Sequence, residues 1–214
     1  PLDVLTRIAI ERLQASGTGY LLLVEGARID HASHAGNARR TLSETIEFSD
    51  AVRAAVEATA EHDTLILVTA DHSHTMTFAG YPQRGNPILG LVQGPGAQVP
   101  ARADDGLPYT TLGFANGPGH RAARPDLSDV DTMAVDFLQE ATVPLRSESH
   151  GGEDVGVWAR GPGAWAARGT LEQHVLFHLL VQATPALRGR LCAAGGCDAN
   201  GVPVDLPDPA SFRD

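Results

Sequence analysis

Positive charge is in short supply in this chain. Sixteen Lys and Arg stand against 26 Asp and Glu, the formal charge is −10 and the pI lies near 5.3. Binding to a nucleic-acid backbone needs clustered cations, so that partner class is excluded as the main one. No apolar run approaches the roughly 18 to 20 residues of a membrane span. The N-terminus shows no basic segment followed by an apolar one and a small-residue cleavage site. It begins at Pro1 rather than Met, and the true start is expected upstream. No internal repeat is present, and no serine sits in a Gly-x-Ser-x-Gly nucleophile motif. Cysteine is confined to Cys192 and Cys197, with Ala-Ala-Gly-Gly between them. The glycines permit a tight loop, so a local disulfide and an oxidising compartment are one reading, and two free thiols the other.

What is present is ordinary in bulk and unusual in detail. The 214 residues are 43% hydrophobic and 20% charged, enough for one α/β domain or a domain with an insertion. Apolar residues at helical spacing (Leu2, Leu5, Ala9, Leu13) predict a helix over 2–14, ended by Ser16-Gly17-Thr18-Gly19. The continuous apolar run at 20–24 reads as a buried strand, residues 37–61 as a long helix, and 64–69 as a second buried strand. Helix, strand, helix, strand is the order of a βαβ crossover. The expected fold is therefore α/β: a partial doubly wound, mostly parallel sheet flanked by helices. From 78 to 148 proline and glycine become frequent and periodicity weakens, as in a loop-rich insertion, with one strand at 109–115 and one helix at 128–140. Core structure returns over 149–190, with a strand at 155–159 and a helix at 172–182. Residues 191–214 form a Gly-, Pro- and Asp-rich tail.

The nine histidines carry the chemical signal. Asp30 and His34 are spaced i, i+4, which puts a carboxylate and an imidazole on one face of a helical turn, with Glu25 just upstream. That pair suits a divalent metal, zinc first, although Asp30 as a helix cap and His34 as a surface residue would fit the same spacing. The second strand runs into Asp71-His72-Ser73-His74. In doubly wound sheets ligands bind beyond the carboxyl ends of the strands, so parallel neighbours would bring the two clusters together. A third group follows in His150, Glu153 and Asp154.

The stretches VEGARIDHASH, LVTADHSHTMTFAGYPQRGNPILGL, NGPG and SHGGEDVGVWARGPGAW resemble, in the same order, the C-terminal half of alkaline phosphatases. GYPQRGNPILGL and VPLRSESHGGEDV place the resemblance closest to the animal type, and it extends from about residue 2 to 197. It implies a phosphate monoester hydrolase with two zinc ions and a magnesium ion per site. Asp30, His34 and His150 would be ligands of the first zinc, Asp71 and His72 of the second, and Glu25 of the magnesium. His31 falls where the family places a residue near the bound phosphate. Residues 78–148 would be a crown-like insertion, 1–77 and 149–190 parts of the catalytic core. The Cys192–Cys197 loop matches a C-terminal disulfide loop of the animal enzymes. The family also implies a homodimer and an extracytoplasmic location, whether periplasmic, secreted or cell-surface.

One departure limits what the chain does alone. In the family the serine nucleophile, a shared zinc–magnesium aspartate, a phosphate-clamping arginine and a hydroxyl ligand of magnesium all precede this region. The expectation is an upstream half that completes the site, and a chain that is inactive without it. A phosphodiesterase or sulfatase-like member of the same superfamily, or a non-catalytic metal-binding partner chain, are the alternatives.

Overall fold

The computed structural model describes residues 1–203, so residues 204–214 of the expected tail lie outside the described residues. The chain is mixed α/β. Its helices are α1 (Leu2–Gln14), α2 (Arg28–His34), α3 (Ala38–Ala58), α4 (Val175–Ala183) and α5 (Pro185–Ala193). Its strands are short: β1 (Ile66–Val68), β2 (Ser73–His74), β3 (Met76–Phe78), β4 (Leu112–Gly117), β5 (Ala141–Pro144), β6 (His150–Gly151) and β7 (Trp158–Arg160). Two compact units share them. One comprises Pro1–Leu2, Leu21–Asp50 and His72–Asp154; the other comprises Asp3–Tyr20, Ala51–Asp71 and the chain from Val155 on.

The first unit is built on the sheet β3-β4-β5, in which β3 runs antiparallel and β5 parallel to β4. The two-residue alternation of a strand sends Leu112 and Phe114 of β4 to one face. There they are buried with Ala38 of α3, and Leu42, Met76, Leu89 and Ala141 pack against them. Burial of each large side chain contributes roughly 1.5–3 kcal/mol. A separate ribbon pairs β2 with β6 in antiparallel register, Ser73 opposite Gly151 and His74 opposite His150. The remainder of 78–148 is turn and loop.

In the second unit β1 pairs antiparallel with β7. Thr6 and Ile10 of α1 are buried, as are Ala51 and Ala54 of α3, and Arg7 of α1 reaches Glu57 at 3.1 Å. Pro185 opens α5, where its missing N–H costs nothing. Cys192 and Cys197 are joined in a disulfide, with Cα atoms 4.7 Å apart.

The α/β class and the helices expected at 2–14, 37–61 and 172–182 correspond to α1, α3 and α4. Two local expectations differ. Residues 20–24 form no strand; Leu21 and Leu23 are exposed there, and no ladder partner is present among the described residues. Residues 128–140 are turns rather than a helix. Asp126 and Asp131 each accept a hydrogen bond from a backbone N–H two residues on, Ser128 at 2.9 Å and Met133 at 3.0 Å. Those local bonds compete with a helix ladder. The Val135 carbonyl is meanwhile taken by the Asn37 side chain at 2.7 Å, so tertiary bonds override propensity.

Candidate metal centre

Every cluster of donor side chains described below lies in the first unit. It begins with α2, whose seven residues carry Asp30 at the start and His34 at the end. Gly36 closes the helix with φ +68°, and the Gly36 and Asn37 N–H groups bond back to the Ser33 and Ala32 carbonyls. A left-handed residue just past a helix end is a glycine position. Buried Ser33 then bonds the Thr41 hydroxyl of α3 at 3.2 Å. Asn37 caps α3 by accepting the Arg40 N–H at 2.9 Å. The short helix is thus fixed at its far end.

The ribbon β2–β6 supplies the opposite wall. Its register sets His74 against His150, and the Glu148 N–H donates to the His34 carbonyl at 2.9 Å, joining that wall to α2. Gly151 leaves room for the Ser73–Glu153 hydrogen bond. A Cβ at that position would overlap the Ser73 hydroxyl and the Glu153 carboxylate.

Four imidazoles converge on one carboxylate oxygen. Asp30 Oδ1 lies 3.1 Å from His74 Nε2, 3.4 Å from His34 Nε2, 3.5 Å from His150 Nε2 and 3.9 Å from His72 Nε2. The Nε2 atoms of His34 and His150 are 3.1 Å apart, and the rings of His72 and His150 stack with centroids 3.5 Å apart. Two groups of donor atoms, Asp30 with His72, His74 and His150, and His34 with His74 and Glu148, each fall within 4.8 Å and could hold a metal ion.

The ring orientations are set from behind. His34 Nδ1–H donates to the Glu148 carbonyl at 2.5 Å, and His72 Nδ1–H to the Ser73 carbonyl at 3.1 Å. A proton held on Nδ1 leaves the Nε2 lone pair facing the cluster, the usual arrangement behind a metal-binding histidine. The Ser73 hydroxyl donates to Glu153 at 2.5 Å. That bond, followed by one from the Glu153 backbone, holds the Glu153 carboxyl below the ordinary glutamate range.

Of the residues singled out from sequence, Asp30, His34, His72 and His150 are brought together. Glu25, His31 and Asp71 are exposed and stand outside both groups. His31 follows Asp30 directly on α2, and one helical step of 100° turns it to another face. Glu148, fully buried, is the residue that sequence reasoning passes over. Its only signal is its position two residues before His150.

The sequence matches the alkaline phosphatase family over residues 1–186. It is 44% identical over 186 residues to the tissue-nonspecific alkaline phosphatase of Gallus gallus, 42% over 186 to that of Felis catus and 41% over 186 to that of Homo sapiens. Each alignment covers 85% of this chain and 34% of the relative, so the chain spans about a third of the length of these curated relatives. A family match over most of the sequence, on a fold that gathers the matching carboxylate and imidazoles, places the chain in the alkaline phosphatase family.

Proposed function

We propose that this chain is the C-terminal part of a phosphate monoester hydrolase whose site holds two zinc ions and a magnesium ion. The observation that carries the reading is the triangle Asp30 Oδ1, His34 Nε2 and His150 Nε2, with edges of 3.4, 3.5 and 3.1 Å. Ligand atoms about 2.0–2.1 Å from a tetrahedral zinc are separated by about 3.3 Å, so the donors are spaced as that ion requires. These three residues hold the first zinc. His72 and Asp71 contribute to the second and Glu25 to the magnesium, with the remaining ligands from the upstream half. When bound, such a zinc pair neutralises phosphate charge and lowers the pKa of a nucleophilic or leaving oxygen.

The chain's own residues bind and orient. The Glu148 and Ser73 carbonyls keep the His34 and His72 protons on Nδ1, so each Nε2 lone pair faces the cluster. Partly exposed Asp30 supplies the negative charge among them, and His31 lies beside the phosphate. The attacking serine belongs to the upstream half, so this chain alone is inactive. The whole enzyme is a homodimer acting outside the cytoplasm; the Cys192–Cys197 disulfide supports an oxidising compartment. No helix among the described residues is long and apolar enough to cross a membrane.

The test is turnover of p-nitrophenyl phosphate against bis-p-nitrophenyl phosphate by the protein with its upstream half attached, beside the pure 214-residue chain. The expected result is preference for the monoester and no turnover by the chain alone. Preference for the diester, or hydrolysis by the isolated chain, would overturn the reading.

A further inference from the structure

Glu148 is buried, carries a carboxyl group and touches both walls of the cluster. Its Oε1 accepts the Thr75 N–H at 2.6 Å and the Thr75 hydroxyl at 2.7 Å. Its Oε2 stands 2.7 Å from His74 Nδ1, and the other nitrogen of the same ring stands 3.1 Å from Asp30 Oδ1. Its backbone carbonyl takes the His34 Nδ1–H. A carboxylate with no solvent contact is costly unless its lone pairs are used, and here each oxygen has a protein partner.

We infer that Glu148 is the positioning residue of this centre, fixing His74 through its side chain and His34 through its backbone, and that the Glu148–His74 link aligns the Asp30 carboxylate for the ion. Glu148 itself is no ligand: Oε1 is held by two Thr75 donors and Oε2 by His74. His74 stands behind Asp30 in this reading, its Nδ1 at Glu148 and its Nε2 at Asp30. The inference rests on the proposed zinc reading and adds which residues hold the ligands in place.

The chemistry sets the size of the effect. Removing the partner behind a metal ligand lowers metal affinity about 10- to 100-fold. Glu148→Gln keeps the volume and an acceptor for Thr75, and removes the charged acceptor facing His74 Nδ1.

The experiment is zinc titration of the full chain as wild type, Glu148→Gln, His74→Gln, the double variant and His34→Ala, with circular dichroism and histidine ¹⁵N spectra on each. The expected result is zinc binding by the wild type, loss in His34→Ala, and a 10- to 100-fold weakening in each of Glu148→Gln and His74→Gln. The double variant is expected to be no weaker than either single one, since both break one link; general structural damage would add. The ¹⁵N signals of His74 are expected to shift in Glu148→Gln, because the partner of its Nδ1 changes. If Glu148→Gln loses its fold, His74→Gln decides the question alone. Wild-type affinity in His74→Gln, or additive losses in the double variant, overturns the inference while the zinc reading stands. Absence of zinc from the wild type, or unchanged binding in His34→Ala, overturns both.

Discussion

His34 Nε2 and His150 Nε2 face each other across 3.1 Å at a sequence separation of 116. The Glu148 carbonyl holds the His34 proton on Nδ1, so the His34 lone pair points into the gap beside Asp30. A cation shared by the two rings and that carboxylate satisfies all three at once.

Removing one corner of the triangle gives the simplest prediction. In the protein with its upstream half attached, His34→Ala is expected to lose about one zinc per site and at least ~100-fold in monoester turnover, because a zinc ion contributes several kcal/mol to stabilising developing charge. Metal analysis of the purified variant beside its turnover rate checks both. Full zinc content would remove His34 from the ligand set.

Gly151→Ala tests the ribbon. The new methyl group meets the Ser73 hydroxyl and the Glu153 carboxylate and comes within 3.0 Å of the His74 carbonyl, so the Ser73–Glu153 bond breaks and β6 shifts slightly from β2, taking His150 with it. Overpacking of this kind costs about 1–3 kcal/mol. Denaturant melts should show that loss together with weaker zinc binding; a neutral effect on both would mean that the ribbon does not set the His150 position.

Acid stability should depend in part on the Asp105–Arg124 corner. The Leu107 N–H, and after it the Arg124 guanidinium, hold the Asp105 carboxyl below its ordinary value near 3.8. A depressed folded-state pKa contributes stability above the unfolded-state value, and that contribution is lost as pH falls through the folded-state value. Arg124→Met should therefore raise the Asp105 pKa toward the ordinary value, shrink that contribution and complete its loss at higher pH. Carbon-13 titration of the Asp105 carboxyl reads this directly.

The disulfide closes a loop of sequence separation 5 at the end of α5. Short loops stabilise less than long ones, so Cys192→Ser with Cys197→Ser should cost about 1–3 kcal/mol. Faster amide exchange in α5 is the expected sign, and unchanged exchange would show that the helix end is held without the bridge.

Asp30 and His34 meet because an i, i+4 spacing on a helical turn requires it, and that proximity is legible in the sequence alone. The convergence of His72 and His150 is foreshadowed by clusters at segment ends, but their meeting depends on the β2–β6 register, which no local pattern encodes. Glu148 is illegible for a related reason. A glutamate in a Ser-Glu-Ser-His run reads as solvated until the fold buries it against Thr75 and His74. The helix expected at 128–140 gives way because Asp126 and Asp131 bond their own backbone. The apolar run at 20–24 reads as a strand by composition, but it forms none and leaves Leu21 and Leu23 exposed.

X-ray absorption at the zinc edge of the zinc-loaded 214-residue chain bears most directly on the central claim. The expected spectrum is a single tightly held ion with two imidazole nitrogens and a carboxylate oxygen at about 2.0–2.1 Å, reduced to one imidazole or lost in His34→Ala. An ion without imidazole ligands, or no bound ion at all, would contradict it.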